Sequence, residues 1–550
     1  MDGWRYVGTF FWALLIITGG LPHVWAAAGK ADIEHYSIAL SLDPANRTVR
    51  GAATITVNAT DLEELTLELM EALQPISAEV GTRPVGFTRN GTELTLSFDR
   101  AESGVFDIHI EYGGTLDAEM NGHSWAYIDG ESAYAVHESR WYPAVTGDRT
   151  TATISIQPPK GWMGISNGEL AGVDEKNNVY RWVVDTPEVG FSFAAGRYRV
   201  VQTYNRHIPV ECYLLAPKER CPETLNHILS FMTQYLGEYP YGKLSLAEVK
   251  GNLNGGHGDH SLIIMSGDII RSPQFREFLA HEVSHNWFGG TVSPEDRKGR
   301  RDHWLTEGLA TYAGVLYLES IDRGLAERSL AAKRKEYLSF REDNEDVAIA
   351  AAKGGYDRAF HAVVYSKGAW VLHMLRYVMG DDAFSRTLQN YLERYDGGSA
   401  SIEDFQQVAE ETSGMDLDWF FGEWLGSTAL PDFLIRSARV RKTGDSYNVT
   451  VRLRQEGDVV RTPLDITVHT ADGAAFTERV WMDSREAEFE LQTASEPIVL
   501  EIDREGWLLE AKRSNNRYVV RYPLSLYGLR LFFTSLADRL SAFSFLTSRT

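Results

Sequence analysis

The period of the hydrophobic pattern switches twice along this chain, so no single layer of helices or strands can satisfy the whole of it. From about Ala31 to Val201, short runs alternate apolar and polar residues, as in Tyr36-Ser-Ile-Ala-Leu-Ser-Leu42 and Thr151-Ala-Thr-Ile-Ser-Ile156, with Gly, Asn, Asp and Pro between them. A period of two places apolar side chains on one face of a pleated strand, which predicts a β-rich domain. Near Pro222 the spacing becomes three and four residues, the period of helices, and it persists to about Leu425. Alternation returns between Leu434 and Leu509, as in Tyr447-Asn-Val-Thr-Val-Arg-Leu453, and predicts a small β-sandwich. The 550 residues accommodate such a division, at roughly 150 residues per domain.

Composition narrows the function. Acidic residues outnumber basic ones 76 to 54, a net charge of −22, which repels a phosphate backbone and excludes nucleic acid as an expected partner. With only Cys212 and Cys221 present, any metal site draws on histidines and carboxylates. The uncharged apolar run from Val7 to Pro22, followed by small residues, predicts a signal peptide over 1–28, cleaved near Ala26 to Ala28. Export to the periplasm or the extracellular space is therefore expected; an uncleaved membrane anchor is the alternative. Export permits a Cys212–Cys221 disulfide, while two separate thiols remain open. Residues 512–550 form a basic tail with Leu529, Phe532, Phe533, Leu536, Leu540 and Phe543 at helical spacing, either a mobile or docked extension or a contact for a membrane surface.

The chemistry concentrates in His281-Glu-Val-Ser-His285. Ser272-Pro273 offers a helix start, Phe275, Phe278 and Leu279 an apolar face, and Gly289-Gly290 a stop. On that helix His281 and His285 project from one face, spaced to share a zinc ion, and Glu282 sits beside them to handle the proton of an attacking water. A catalytic zinc needs a third protein ligand and an open position. Glu307, in Trp304-Leu-Thr-Glu-Gly-Leu-Ala-Thr-Tyr312, is the candidate, because an unpaired charge inside so apolar a segment is costly.

These motifs resemble the aminopeptidase N (membrane alanyl aminopeptidase) family of zinc metallopeptidases. His281-Glu-Val-Ser-His-Asn-Trp-Phe-Gly289 is similar to its metal helix, Trp304-Leu-Thr-Glu-Gly308 to its third-ligand segment, and Val364-Tyr-Ser-Lys-Gly-Ala369 to its catalytic-tyrosine segment. Trp141-Tyr-Pro143, Ile165-Ser-Asn-Gly-Glu-Leu170 and Tyr239-Pro-Tyr-Gly-Lys243 match flanking landmarks in order. The resemblance covers roughly residues 32 to 510. It implies an α+β multidomain chain: an antiparallel N-terminal β-domain (29–205), a thermolysin-like, mostly α catalytic domain (206–428) and a small C-terminal β-sandwich (429–511), as a short form without the family's large helical domain. It further implies one zinc per chain on His281, His285 and Glu307, a peptide substrate, Glu282 as proton shuttle and Tyr365 as hydrogen-bond donor to the oxyanion.

The chain departs from the family twice. The segment between His285 and Glu307 is a few residues longer than usual, the surplus falling in the charged stretch 295–302, which a loop absorbs at little entropic cost. In the family, a strand before the metal helix carries a glutamate that binds the substrate's free α-amine. Here that strand reads Gly255-Gly-His-Gly-Asp-His-Ser-Leu262 and the glutamate's place falls on Gly258. Gly255, Gly256 and Gly258 can let a peptide approach the backbone closely, and Asp259, His257 and Glu138 are the candidates to take over the amine. His257 and His260 are either further metal ligands or hydrogen-bonded loop histidines. An aminopeptidase is expected first, with an endopeptidase, a non-peptide hydrolase or a catalytically silent scaffold as alternatives. The sequence leaves the oligomeric state open.

Overall fold

The computed structural model describes residues 31–216, 221–253, 255–295, 302–352, 354 and 357–520. The expected signal segment, most of the charged stretch 295–302 and the tail beyond residue 520 lie outside the described residues. Between Ala31 and Gly196 the chain builds a nine-stranded and a five-stranded sheet. Strand Thr150–Gln157 shows why alternation predicts them: Ala152, Ile154 and Ile156 are buried while the residues between them are not. The large sheet is antiparallel, as expected, except at one pair of strands. Strand Ala31–Asp43 runs parallel to Thr150–Gln157, because the intervening chain crosses over to fill both sheets before returning to that edge.

The helical region opens with a mixed sheet whose order is Arg199–Asn205, Ile208–Leu214, Leu244–Val249, Leu262–Ser266 and, at the edge, Gly256–Asp259. Its first hairpin spans the domain boundary expected at 205. The two central strands are buried along their whole length. Leu246, Ile263 and Met265 pack with the helices, whereas Ala247, Val249, Leu262 and Ile264 pack into the N-terminal core. Being covered on both faces explains why Leu262-Ile-Ile-Met265 reads as an unbroken apolar run. The arrangement sets the glycine-rich edge strand between the β-domain and the helices. Cys212 in the second strand and Cys221 at the start of helix Cys221–Leu236 form a disulfide.

Helices Phe275–Ser284, Glu307–Ile321, Arg323–Asp343 and Gly368–Met379 surround the metal motif. The first begins at Phe275 rather than at the expected Ser272 cap, because a short helix, Gly267–Ile270, ends immediately before and Ser272-Pro273 turns the chain between the two. A three-stranded and a four-stranded sheet follow the helices, and their core is continuous with that of the helices. Strand Arg517–Val519 pairs with Pro497–Ile502, so the β-structure continues past 511, where the tail was expected to begin. Among the described residues no helix is long and apolar enough to cross a membrane.

Candidate metal centre and its cleft

His281 and His285 lie one turn apart and Glu307 faces them from the next helix. The imidazole Nε2 atoms are 3.1 Å apart, and the Glu307 Oε2 stands 3.4 Å from each. Atoms bound tetrahedrally at about 2.0–2.1 Å are separated by about 3.3–3.4 Å. The donor set and its spacing therefore fit a zinc ion. The far ring nitrogens are oriented as metal-binding imidazoles require: His285 Nδ1 pairs with the Phe288 carbonyl at 3.0 Å and His281 Nδ1 with the Thr311 hydroxyl at 3.4 Å. Thr311 in turn donates to the Glu307 carbonyl at 2.6 Å. One hydroxyl thus couples two ligand positions, a role that the sequence reading missed although Thr311 follows Glu307 by one helical turn. Burial by itself raises the Glu307 carboxyl, but the His285 and His281 imidazoles outweigh it and hold the group well below the usual carboxylate range. Burial likewise opposes a charged His285, yet the Glu307 carboxylate raises it to about 9. The centre stabilises an anion paired with positive charge, which is what a dication requires.

Trp304 explains the glycines of both flanking motifs. A Cβ on Gly308 would lie 2.4 Å from its indole and one on Gly368 2.8 Å from it, and the indole nitrogen donates to the Gly368 carbonyl at 3.2 Å. The ring is wedged where the two helices nearly touch, fixing the Glu307 helix against the segment that carries Tyr365. That segment, His361–Lys367, is a π-helix, a rare local widening often found at functional sites. It stacks the Tyr365 ring on His281, centroids 5.7 Å apart.

The centre opens into a cleft of about 1100 Å³, lined also by Glu282, Tyr365, Gly256, His257, Gly258 and Glu138. Among the expected substrate-side residues the glycines behave differently. Gly255 has φ +104°, which disfavours any side chain. A Cβ on Gly256 would meet only side-chain atoms of Met265 and Glu282, at 3.2–3.4 Å. A Cβ on Gly258 would lie 2.3 Å from the backbone oxygen of Glu282. The strand therefore runs against the metal helix with no room for the family's glutamate. Strand alternation sends His257 and Asp259 the other way, toward the β-domain.

Asp259, expected on the substrate side, lies in the wall of the cleft with its carboxylate engaged within the protein. It is buried, accepts from the Ser192 hydroxyl at 2.5 Å and pairs with His260 Nδ1 at 2.5 Å. His260 also meets Glu188 at 2.8 Å; burial opposes its charge, but Glu188 and Asp259 raise it to about 10. This histidine is a buried ion-pair partner rather than a metal ligand. Glu138, from the single turn His137–Ser139, is only part-buried and faces the cleft. The other landmarks are joints: Asn167 donates to the carbonyls of Asp259 and His260, Lys243 to that of Ser166, and the Asn286 side chain accepts from Tyr239 and from the Ser261 amide.

A His-Glu-x-x-His helix completed by a glutamate from a following helix, in a cleft between a β-domain and a helical lobe, is a donor set fit for zinc with room beside it for an extended substrate. Residues 223–424 match the Peptidase family M1 domain. It is 22% identical over 519 residues to Aminopeptidase 2 of Candida albicans, covering 86% of this chain and 55% of the relative. Aminopeptidase N of Haemophilus influenzae is 29% identical over 434 residues, 70% of this chain and 49% of the relative. The chain thus spans about half the length of these curated relatives. Legionella pneumophila aminopeptidase A, solved with aspartic acid, superimposes with a TM-score of 0.68 at 18% identity, covering 92% of this chain and 61% of that one. An M1 zinc metallopeptidase from Deinococcus radiodurans gives 0.59 at 20% identity, covering 74% and 95%. These structural likenesses establish the fold.

Proposed function

We propose that this protein is a zinc-dependent aminopeptidase, with one zinc on His281, His285 and Glu307. When bound, zinc polarises the scissile carbonyl and makes water acidic enough to attack near neutral pH. Glu282 takes the attacking water's proton and delivers it to the departing amine. Tyr365 donates a hydrogen bond to the oxyanion, a contact made chiefly in the transition state. The glycine-rich edge strand offers its backbone to the extended substrate.

The observation that carries the exopeptidase reading is the Glu138 carboxylate, which faces the cleft beside the metal motif. Other carboxylates lining the cleft away from the metal motif are engaged elsewhere: Glu277 by Lys333 and Ser329, Glu336 by Ser366, and Asp357 in capping the turn at Phe360. Glu138, whose neighbours are the cleft histidines His137 and His257, is the carboxylate placed to recognise a substrate's free terminus. Comparing kcat/KM for peptides with free and N-acetylated termini tests this; a preference of about a hundredfold or more is expected, the scale on which losing a paired charge shows. Equal rates would turn the assignment toward an endopeptidase, and no hydrolysis by zinc-loaded protein toward a silent scaffold.

We also propose that the protein acts after export, a reading supported by the Cys212–Cys221 disulfide, since such bonds persist in oxidising compartments. Membrane-surface contact through residues 512–550 rests on the sequence pattern alone.

A further inference from the structure

A second set of metal-binding side chains converges in the same cleft. His137 and Glu138 come from the single turn His137–Ser139, and His257 from the edge strand Gly256–Asp259. Glu138 Oε2 lies 3.3 Å from His137 Nδ1 and 3.3 Å from His257 Nε2. One ligand atom from each of the three residues falls within 4.8 Å of the others. The two 3.3 Å separations match those between ligands of a tetrahedral zinc, and the donor set, two imidazoles and one carboxylate, repeats that of His281, His285 and Glu307. Glu138 Oε2 and His257 Nε2 are buried atoms, and neither makes a hydrogen bond. Their 3.3 Å approach is an ion pair only when His257 carries a proton, and with a neutral imidazole a cation between the two supplies what each lacks.

The backbone beneath is built to hold these groups still. The His137 amide donates to Ser192 at 2.9 Å, and the Arg140 side chain donates back to the His137 carbonyl at 3.2 Å. Arg140 itself adopts φ +57°, an uncommon conformation for a non-glycine residue, at the end of the turn. Asn167 clamps the end of the edge strand through the carbonyls of Asp259 and His260. Asp259 Oδ2, 3.3 Å from His137 Nδ1, adds negative charge behind the cluster. It accepts from Ser192 and pairs with His260 and with this same nitrogen, so an ion bound at His137 Nδ1 takes the place of the proton shared with Asp259.

We propose that His137, Glu138 and His257 hold a second divalent cation of the zinc type, in the cleft that contains the His281–His285–Glu307 centre. Resting on the aminopeptidase reading, this ion is the receptor for the substrate's α-amine. An unprotonated amine ligates through its lone pair and an N-acetyl nitrogen does not, so the ion does what a carboxylate at position 258 has no room to do.

The test is metal content. The intact protein is equilibrated with Zn²⁺, passed into metal-free buffer and measured by plasma mass spectrometry, with Co²⁺ loading and its visible absorption as a second readout. The wild type is expected to retain two ions per chain, His257→Ala one, and the His281→Ala/His285→Ala double variant one. Glu138→Gln, which keeps the side chain's shape, is expected to retain one, and melting curves show whether each variant is folded. A wild type that retains a single ion, lost from the double variant and undiminished in His257→Ala and Glu138→Gln, overturns the proposal. The count does not depend on substrate. Two ions with equal rates on free and acetylated peptides would remove the aminopeptidase reading and keep the site, whereas one ion with a strong free-amine preference would do the reverse.

Discussion

Gly258 is where motif transfer and structure disagree, and adding one methyl group there decides between them. In Gly258→Ala the new carbon would begin 2.3 Å from the Glu282 carbonyl oxygen and 2.9–3.0 Å from the carbon atoms beside it. Comfortable contacts need about 3.5 Å, so strand and helix must separate by about 1 Å. Both partners are backbone, held by the sheet on one side and by helix hydrogen bonds on the other, and no side-chain rotation relieves the clash. Overpacking of this kind costs about 1–3 kcal/mol. At about 2–4 °C per kcal/mol for a domain of this class, the catalytic transition should melt about 2–12 °C lower. Turnover should fall further than stability suggests, because Glu282 rides on the displaced backbone and a 1 Å error in a proton shuttle costs about a hundredfold. Gly256→Ala is the control, since its methyl meets only the movable ends of Met265 and Glu282 and should cost less than about 1 kcal/mol. Differential scanning calorimetry and kcat, measured on both variants, are the assays. If Gly258→Ala melts and turns over like Gly256→Ala, the close approach of strand to metal helix is not real. By the same reasoning Gly258→Glu, which would restore the family's pattern, should lose activity on free-amine peptides rather than gain it.

Glu282→Gln should retain its metal by mass spectrometry while losing turnover, because an amide keeps the carboxylate's shape but cannot carry the proton; near-normal turnover would remove it from the mechanism. Tyr365→Phe should lower kcat by about two to three orders of magnitude with KM little changed, as for loss of one oxyanion donor. Thr311→Val removes the hydroxyl that faces His281 Nδ1 and should weaken zinc retention about 10- to 100-fold in a chelator competition. His260, raised to about 10 in the fold from an ordinary 6.5, binds its proton more tightly folded than unfolded. The melting advantage of wild type over His260→Gln should therefore be full below about pH 6.5 and fade as the pH rises through about 10; an advantage that grows with pH would contradict the buried ion pairs.

What could be read from the sequence was what a single element encodes. His281, Glu282 and His285 share one helix, so their spacing alone sets their common face, and Glu307 stood out because a charge in so apolar a helix needs a partner. Alternation likewise marked the strands, since a pleat repeats every two residues wherever it occurs. The parallel pairing of Ala31–Asp43 with Thr150–Gln157 left no local trace, because either direction of pairing buries the same alternate side chains. The grouping of His137, Glu138 and His257 is further from reach. Glu138 and His257 stand out singly in the sequence, as candidates for the amine or a metal, but His137 does not, and some 120 positions separate the turn from the edge strand it meets. The link is steric and shows only in three dimensions: Gly256 and Gly258 let the strand press against the metal helix, and pleating then directs His257 toward Glu138. The glycine that removed the expected amine anchor is thus the residue that brings its replacement into place. In this chain the loss at 258 and the gain at 257 are one structural event, and a variant that repairs the first should damage the second.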